Sequence, residues 1–464
     1  MSAIPDLIKI GSIPGDMEMS VDTDTLEPVV ASNTFCRFVL DKKGFMNSFS
    51  KILISMDDPT GEGGAHTYPQ NVGINALIYR AVLKVGAKTL SSVEDYNHFQ
   101  GYKSLFIDPS VNLEREQVIS SRGNALSLRY NNTEGVYSDF NASSYGIANG
   151  KCYVQDGRWR TGTPGAVDYQ SGLQPWNFQR LSNTPEFQLS LADLFPFLRY
   201  NSLPLYLFDE PISIELHFEP DPAKRTVGEL SDASSKFNIN FATGIKLIAD
   251  YIYYDGETME QFANANSNMN FQYVDYQLNK RTLTQAQAQT KQILNIGGAG
   301  RLVPKMFWAL SDNAANASNL YNQYHSQAPS KTGANMGTLT TNLRYNDRYL
   351  YPLDRVSNSI HFHDITSTEA QQPNISRDMY SGGGDGITGQ KYIGIGQNHA
   401  NHGIKGKSFY QANRLNRNER INSRGIELEL SYSSVPAGTY THRAWIEVVR
   451  QATLKNGILD TTFA

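Results

Sequence analysis

Two seven-residue stretches, Ile212-Ser213-Ile214-Glu215-Leu216-His217-Phe218 and Ile426-Glu427-Leu428-Glu429-Leu430-Ser431-Tyr432, alternate apolar and polar side chains without a break. A period of two puts every apolar residue of such a stretch on one face, which suits a β-strand with one buried side and no helix. They end two halves of similar size, so the chain reads as two versions of one all-β architecture. Composition agrees. With 37 Gly, 19 Pro, 26 Tyr and 21 Phe in 464 residues, it favours strands joined by many loops over helical bundles. That length exceeds what one core can organise and points to two or three domains.

In chain order, residues 1–30 form an arm that carries Asp6, Asp16, Glu18, Asp22, Asp24 and Glu27 against Lys9 alone. Strands are expected at Phe35–Leu40 and Phe49–Ser55, then a helical turn from Asn71 leading into a hairpin around Gly86. A helix is expected over Glu94–Phe106, where Tyr96, Phe99 and Tyr102 share one side. Residues 107–180 read as loop. Phe187–Leu191 reads as strand, Ala192–Leu198 as a short helix, and Leu205–Phe208 and Ile212–Phe218 as strands. The Glu-Pro-Asp-Pro run from Glu219 then breaks the pattern. This gives a first β-sandwich over 31–225, a linker over 226–240 and a second sandwich over 241–464.

The second half opens on Ile245–Tyr254, rich in β-branched and aromatic residues, which is strand composition. Asp255-Gly256 is a turn signal. Glu257–Asn264 can make about two helical turns with Met259, Phe262 and Ala263 on one face. An aromatic strand, Phe271–Leu278, follows. Arg301–Leu310 reads as a buried strand with Pro304 near its start. Leu343–Tyr351 reads as strand with a turn at Asn346-Asp347, and Tyr440–Arg450 as the closing strand.

Several functional classes are disfavoured. A net charge of −4 and an acidic arm are the reverse of what a nucleic-acid-coating protein shows. No run of 18 or more apolar residues occurs, so no stretch spans a membrane by itself as a helix. Met1–Ile10 lacks a basic region and is broken by Pro5, unlike a secretory signal. Cys36 and Cys152 pair only if the fold joins them, and two thiols in so long a chain indicate a reducing compartment.

Candidate chemistry is sparse. Gly403-Ile404-Lys405-Gly406-Lys407-Ser408 ends like a phosphate loop, but Asn401 stands where the leading Gly belongs and no apolar strand precedes it. His361 and His363 share a strand face, and His399 and His402 lie in the same half. No third ligand is fixed by local spacing, so surface or interface histidines are the preferred reading. Asp22-Thr23-Asp24 begins like a calcium loop but has Glu27 and Asn33 where Gly and Glu are required. Lys405, Lys407, Arg414, Arg417, Arg420 and Arg424 make a basic segment suited to an acidic neighbour, to packaged DNA or simply to solvent. Sequons at Asn131, Asn141, Asn316 and Asn374 are read as chance. No catalytic, cofactor-binding or metal site is assigned.

The residues resemble double jelly-roll major capsid proteins, nearest the polinton-like virus and virophage branch of the nucleocytoplasmic large DNA virus lineage. Tyr251, Ile252, Asp255, Glu257, Phe262 and Ala263 match the start of that family's second jelly roll. Thr258, Met259 and Gln261 replace its usual basic residues. Further matches are Gly73–Ile78, Leu203-Pro204 through Ile212–Glu215, Tyr345–Arg348, Tyr351-Pro352 and Arg424–Glu427, in the family's order.

The resemblance implies two consecutive antiparallel jelly-roll β-sandwiches with long loops and a few short helices. It also implies a homotrimer forming a pseudo-hexameric capsomer of an icosahedral double-stranded DNA virus shell. Neighbouring capsomers, penton and minor capsid proteins are the implied partners, and an internal membrane beneath the shell is compatible with it. No sequence-specific nucleic-acid binding, cofactor or enzymatic activity is implied. The implied location is the virion, after synthesis and assembly inside the infected host cell. On this reading the acidic arm is a peripheral tie, whose removal spares the trimer and impairs the shell. The competing reading is a carbohydrate- or receptor-binding protein of two β-sandwiches, with a sugar platform around Trp159 and Trp176. A jelly-roll metalloenzyme stands third.

Overall fold

The computed structural model describes residues 19–47, 49–55, 66–67, 72–103, 186–199, 202–221, 227–228, 244–313, 339–350, 405–409, 419–433, 435 and 437–463. Its first part contains β1 (Met19–Leu26), β2 (Val30–Ala31), β3 (Phe35–Leu40), β4 (Phe45–Met46) and β5 (Lys51–Ser55). These are followed by β6 (Ile78–Val85), β7 (Lys88–Glu94), helix α1 (Tyr96–Lys103), β8 (Glu186–Ser190), β9 (Leu203–Pro204), β10 (Ile212–Phe218), β11 (Ile245–Tyr254) and helix α2 (Gly256–Ala265). The second part has β12 (Asn268–Thr284), helix α3 (Gln285–Gln289), β13 (Gln292–Gly297), β14 (Lys305–Asp312), β15 (Leu339–Tyr345) and β16 (Arg348–Tyr349). It ends with β17 (Lys405–Ser408), β18 (Ile426–Tyr432), β19 (Thr439–Lys455) and β20 (Ile458–Phe463).

The second part shows the jelly-roll wrap plainly. Its sheets run β12-β19-β14-β17, with β20 added on β19, and β13-β18-β15-β16. Counted from β12 to β19, these orders are 1-8-3-6 and 2-7-4-5, as when one long hairpin curls over on itself. Its stem is the pair β12 and β19, matched antiparallel over 17 residues from Asn268 opposite Lys455 to Thr284 opposite Thr439. At strand rise this is a ladder about 55 Å long. The alternation in β18 does what its sequence demands, with Ile426, Leu428 and Leu430 buried in a core shared with Leu294, Met306, Trp308 and Ile446.

The first part pairs β2-β3-β10-β6-β7 in one sheet and β9-β4-β11-β5-β8 in the other, with β1 on β11. In β3, Cys36, Phe38 and Leu40 are buried while the residues between them are half-buried. Gly86 turns the β6–β7 hairpin with φ of 58°, a left-handed conformation open to glycine, and donates its N–H to Pro211 O at 2.8 Å. The expected helix over 94–106 is α1, whose Tyr96 and Phe99 enter the core.

Two expectations change. The strand Ile245–Tyr254 was expected to open the second sandwich, yet β11 lies in a sheet of the first, paired with β1, β4 and β5. Alternation specifies which face of a strand is buried but not which strand lies beside it. The turn expected at Asp255-Gly256 before a short helix is present, with Asp255 as the N-cap of α2, its carboxylate accepting from Thr258 N at 3.0 Å. Leu205–Phe208, expected as strand, is a single turn of 3-10 helix over Leu205–Leu207, for a short apolar run beside Pro204 carries no decisive period.

The arm is also revised in part. Residues 19–26 are an edge strand in full antiparallel register with β11, from Met19 opposite Tyr254 to Leu26 opposite Leu247. Within the expected linker, Val227–Gly228 bridges to His66–Thr67.

Candidate functional site

Asp22-Thr23-Asp24 lies inside β1, where Thr23 Oγ1 donates to Asp250 at 2.7 Å and Asp24 pairs with Lys43. Lys405–Ser408 is a strand paired with Lys305–Trp308, not a loop before a helix. In the basic segment, Arg424 is held by Asp347, and Arg420 Nη1 donates to Gly300 O at 3.3 Å. Cys36 is a buried free thiol, its pKa pushed up to about 12 by burial. Cys152, Trp159, Trp176, His361, His363, His399, His402, Arg414, Arg417 and the four sequon asparagines fall outside the described residues. Among the described residues, no three His, Cys, Asp or Glu side chains cluster closely enough to hold a metal, and no helix is long and apolar enough to cross a membrane.

What the structure does build is a seam between the rolls. Strand β7 and helix α1 of the first lie against β12 and β19 of the second. Apolar contact comes first: Phe99 packs on Tyr276, Phe307 and Trp445 with ring centroids 4.8, 5.7 and 6.1 Å away. Phe197 meets Phe271 and Tyr273 at 5.9 and 5.1 Å. One continuous core therefore contains Phe38 and Ile214 of the first roll together with Phe271, Tyr276, Trp445 and Leu454 of the second. An interface this apolar makes rigid association the expectation and independent motion the exception.

Polar ties then fix its register. Arg443 Nε donates to Asp95 Oδ2 at 2.7 Å, and Lys280 Nζ lies 2.9 Å from the same oxygen. Burial alone would raise the Asp95 pKa, but Arg443, His98 and Lys280 outweigh it and hold the carboxyl well below the usual carboxylate range. Trp445 Nε1 donates to Glu94 O at 3.2 Å, and the Tyr273 hydroxyl donates to Leu90 O at 2.6 Å. Asp275 accepts from Ser91 Oγ at 3.0 Å and from Arg450 at 2.9 Å.

Along β12 the seam-facing side chains run Phe271, Tyr273, Asp275 and then Tyr276, so the alternation slips by one where both Asp275 and Tyr276 are buried. None of this seam was assigned from sequence. The available signal was charge inside apolar strands: Asp275, Arg443, Glu447 and Arg450 interrupt otherwise hydrophobic runs.

The second feature is the exposed rim. Strand β1 uses one backbone edge on β11, and among the described residues its other edge pairs with nothing. It exposes Met19 (50%) and Val21 (55%), with Val29 (68%) just beyond. At the β15–β16 hairpin, Asn346 and Asp347 form the expected turn with φ of 50° and 59°. That hairpin exposes Tyr349 beside Arg344 and Arg348.

Together the antiparallel sheets of the two parts and the apolar seam between them define a double jelly-roll fold. No protein-family model matches the chain, and no curated protein matches its sequence. Solved structures match over nearly its whole length. PBCV-1 VP54, as fitted into a reconstruction of the virophage Sputnik, aligns over 98% of both chains with a TM-score of 0.53 and 10% identity. A chain of the Sputnik virophage structure aligns over 97% of this chain and 90% of its own, with a TM-score of 0.56 and 10% identity. A quasi-atomic PBCV-1 virus capsid chain aligns over 98% of both, at 0.52 and 11% identity. At such identities the likeness is one of fold.

Proposed function

We propose that this chain is the major capsid protein of a double-stranded DNA virus, a structural protein that assembles as trimeric, pseudo-hexameric capsomers in an icosahedral shell. The observation that carries this reading is the fold match over 97–98% of the chain to capsid structures, both rolls included. Physical features support it. Two rolls locked by a continuous core make a rigid block with two similar lobes, so three copies can present six to their neighbours. The long polar loop expected at 107–180 is the kind of segment that interlocks adjacent blocks.

On this reading no residue is catalytic, and the partners are other copies, penton and minor capsid proteins within the virion. The division between rolls lies close to Asn266, after α2, with Ile245–Tyr254 belonging to the first.

Solution mass by light scattering or sedimentation tests the reading. A trimer is expected, with electron micrographs of assembled material showing pseudo-hexagonal units. A chain that stays monomeric at high concentration overturns it.

A further inference from the structure

Charge is distributed unevenly over the two rolls. No Lys or Arg occurs from Ile10 to Cys36, nor from Leu247 to Asn279. The fold sets Met19–Leu26 of the first stretch against Leu247–Tyr254 of the second, and α2 follows directly from β11. The result is an acidic rim on the first roll. Asp22 and Glu27 are exposed on and beside β1, and Asp255, Glu257 and Glu260 are exposed on α2. Met19 and Val21 stand exposed in the same rim, on a strand with an unused backbone edge. Soluble proteins usually blunt such edges with lysine or cover them. Here the charge on the edge is negative, and among the described residues nothing covers it.

The opposite combination occurs on the second roll. At the β15–β16 hairpin and the turn before β18, Arg344, Arg348, Arg420 and Arg424 gather with Lys291. Among the described side chains, Asp347, Glu427 and Glu429 are the carboxylates there, paired with Arg424, Arg344 and Lys291 respectively. Hydrogen bonds make this corner one rigid unit. Asn346 Nδ2 donates to Arg420 O at 2.9 Å, Asn422 N donates to Asn346 Oδ1 at 2.8 Å, and the Tyr349 hydroxyl donates to Glu429 at 2.9 Å. Exposed apolar surface is again present, in Tyr349 (49%) and Ile293 (56%).

The geometry points to a head-to-tail contact between copies of this chain, in which the acidic β1–α2 rim of one docks on the arginine hairpin corner of the next. It rests on the capsid reading and names the surfaces that reading leaves open. A self-paired β1–β1 contact is disfavoured, since antiparallel pairing centred on Thr23 would set Asp22 of each copy opposite Asp24 of the other. A heterologous contact avoids that repulsion, and closes into a ring when its rotation allows.

The test is a charge swap in the full chain. One variant carries Asp22→Lys, Glu257→Lys and Glu260→Lys. A second carries Arg348→Glu and Arg420→Glu, and a third carries all five changes. Self-association is read by sedimentation at low and high salt, and folding by circular dichroism. Each single-surface variant is expected to associate on the order of tenfold more weakly, with the difference shrinking at high salt. The five-fold variant should recover. Folded variants that associate like the wild type overturn the contact while leaving wild-type oligomers, and so the capsid reading, standing. Weakening without recovery in the five-fold variant also overturns it, because each surface then meets a different partner. A wild-type chain that never associates removes both.

Discussion

Arg443 on β19 and Asp95, the residue between β7 and α1, are 348 positions apart in sequence and 2.7 Å apart in the fold, both buried where the rolls meet. Asp95 holds a left-handed backbone conformation with φ of 47°, uncommon for a residue with a side chain, and this aims its carboxylate across the seam. Removing the guanidinium takes away a buried charge-assisted hydrogen bond and leaves Lys280 as the remaining cation on the Asp95 carboxylate. Arg443→Met is therefore expected to destabilise the fold by about 1.5–3 kcal/mol. The double variant Asp95→Asn/Arg443→Met should recover part of the loss, since no buried carboxylate is then left short of a partner. Urea denaturation of the three proteins measures both.

The seam also sets how the molecule unfolds. Trp445 is fully buried, stacks on Phe307 at 5.8 Å and belongs to the core that also holds the first roll. Neither roll can open without exposing apolar surface of the other. Both are expected to melt in one transition, and Trp445→Ala should lower its stability by about 3–5 kcal/mol without splitting it. Calorimetry showing two separate transitions in the wild type would contradict the shared core.

These contacts mark where sequence reasoning stops. Alternation in Ile212–Phe218 and Ile426–Tyr432 identified strands and the face that joins the apolar core, but not that Ser213, Glu215 and Glu429 on the opposite faces are buried as well; the Asn346-Asp347 pair identified a hairpin turn, because that signal too is local. The partner of β11 is not local. Nothing in Ile245–Tyr254 distinguishes a strand that opens a second roll from one that completes the first, and its neighbours β5 and β1 lie about two hundred positions away. The slip at Asp275 and Tyr276 likewise hides the seam, since a strand that changes its buried side midway no longer reads with a single period. Basic residues grouped by sequence were divided by the fold, with Arg424 committed to Asp347.

Stability should fall in mild acid for an identifiable reason. His442 is fully buried, and neither ring nitrogen has a hydrogen-bond partner. Burial, then Arg443 and Arg281, pull its pKa down from 6.5 to about 3. Above pH 6.5 the imidazole is neutral both folded and unfolded, and contributes nothing to pH dependence. Below it the unfolded chain takes up a proton that the folded chain refuses. Stability is therefore lost as pH falls from 6.5 toward 3, at up to about 1.4 kcal/mol per pH unit. Asp95 acts later, because a carboxylate held below its ordinary 3.8 loses its contribution only in stronger acid. His442→Leu should flatten the decline between pH 6 and pH 4 relative to wild type, as read from urea midpoints. An unchanged slope would show that His442 is not its source.

The edge strand allows the sharpest separation of assembly from folding. Residues 19–26 cover eight positions of β11, and Leu26 packs against the core that contains Leu247, Ala249 and Tyr251. Deleting residues 1–18 removes no contact of that ladder, so thermal stability is expected to stay within about 0.5 kcal/mol of the wild type. Extending the deletion through Leu26 uncovers the backbone edge of β11 between two buried core positions and leaves an apolar strand open to pairing. That protein is expected to melt lower and to aggregate, which static light scattering during a thermal ramp detects. Equal stability of the two truncations would mean that β1 is held by the fold without supporting it.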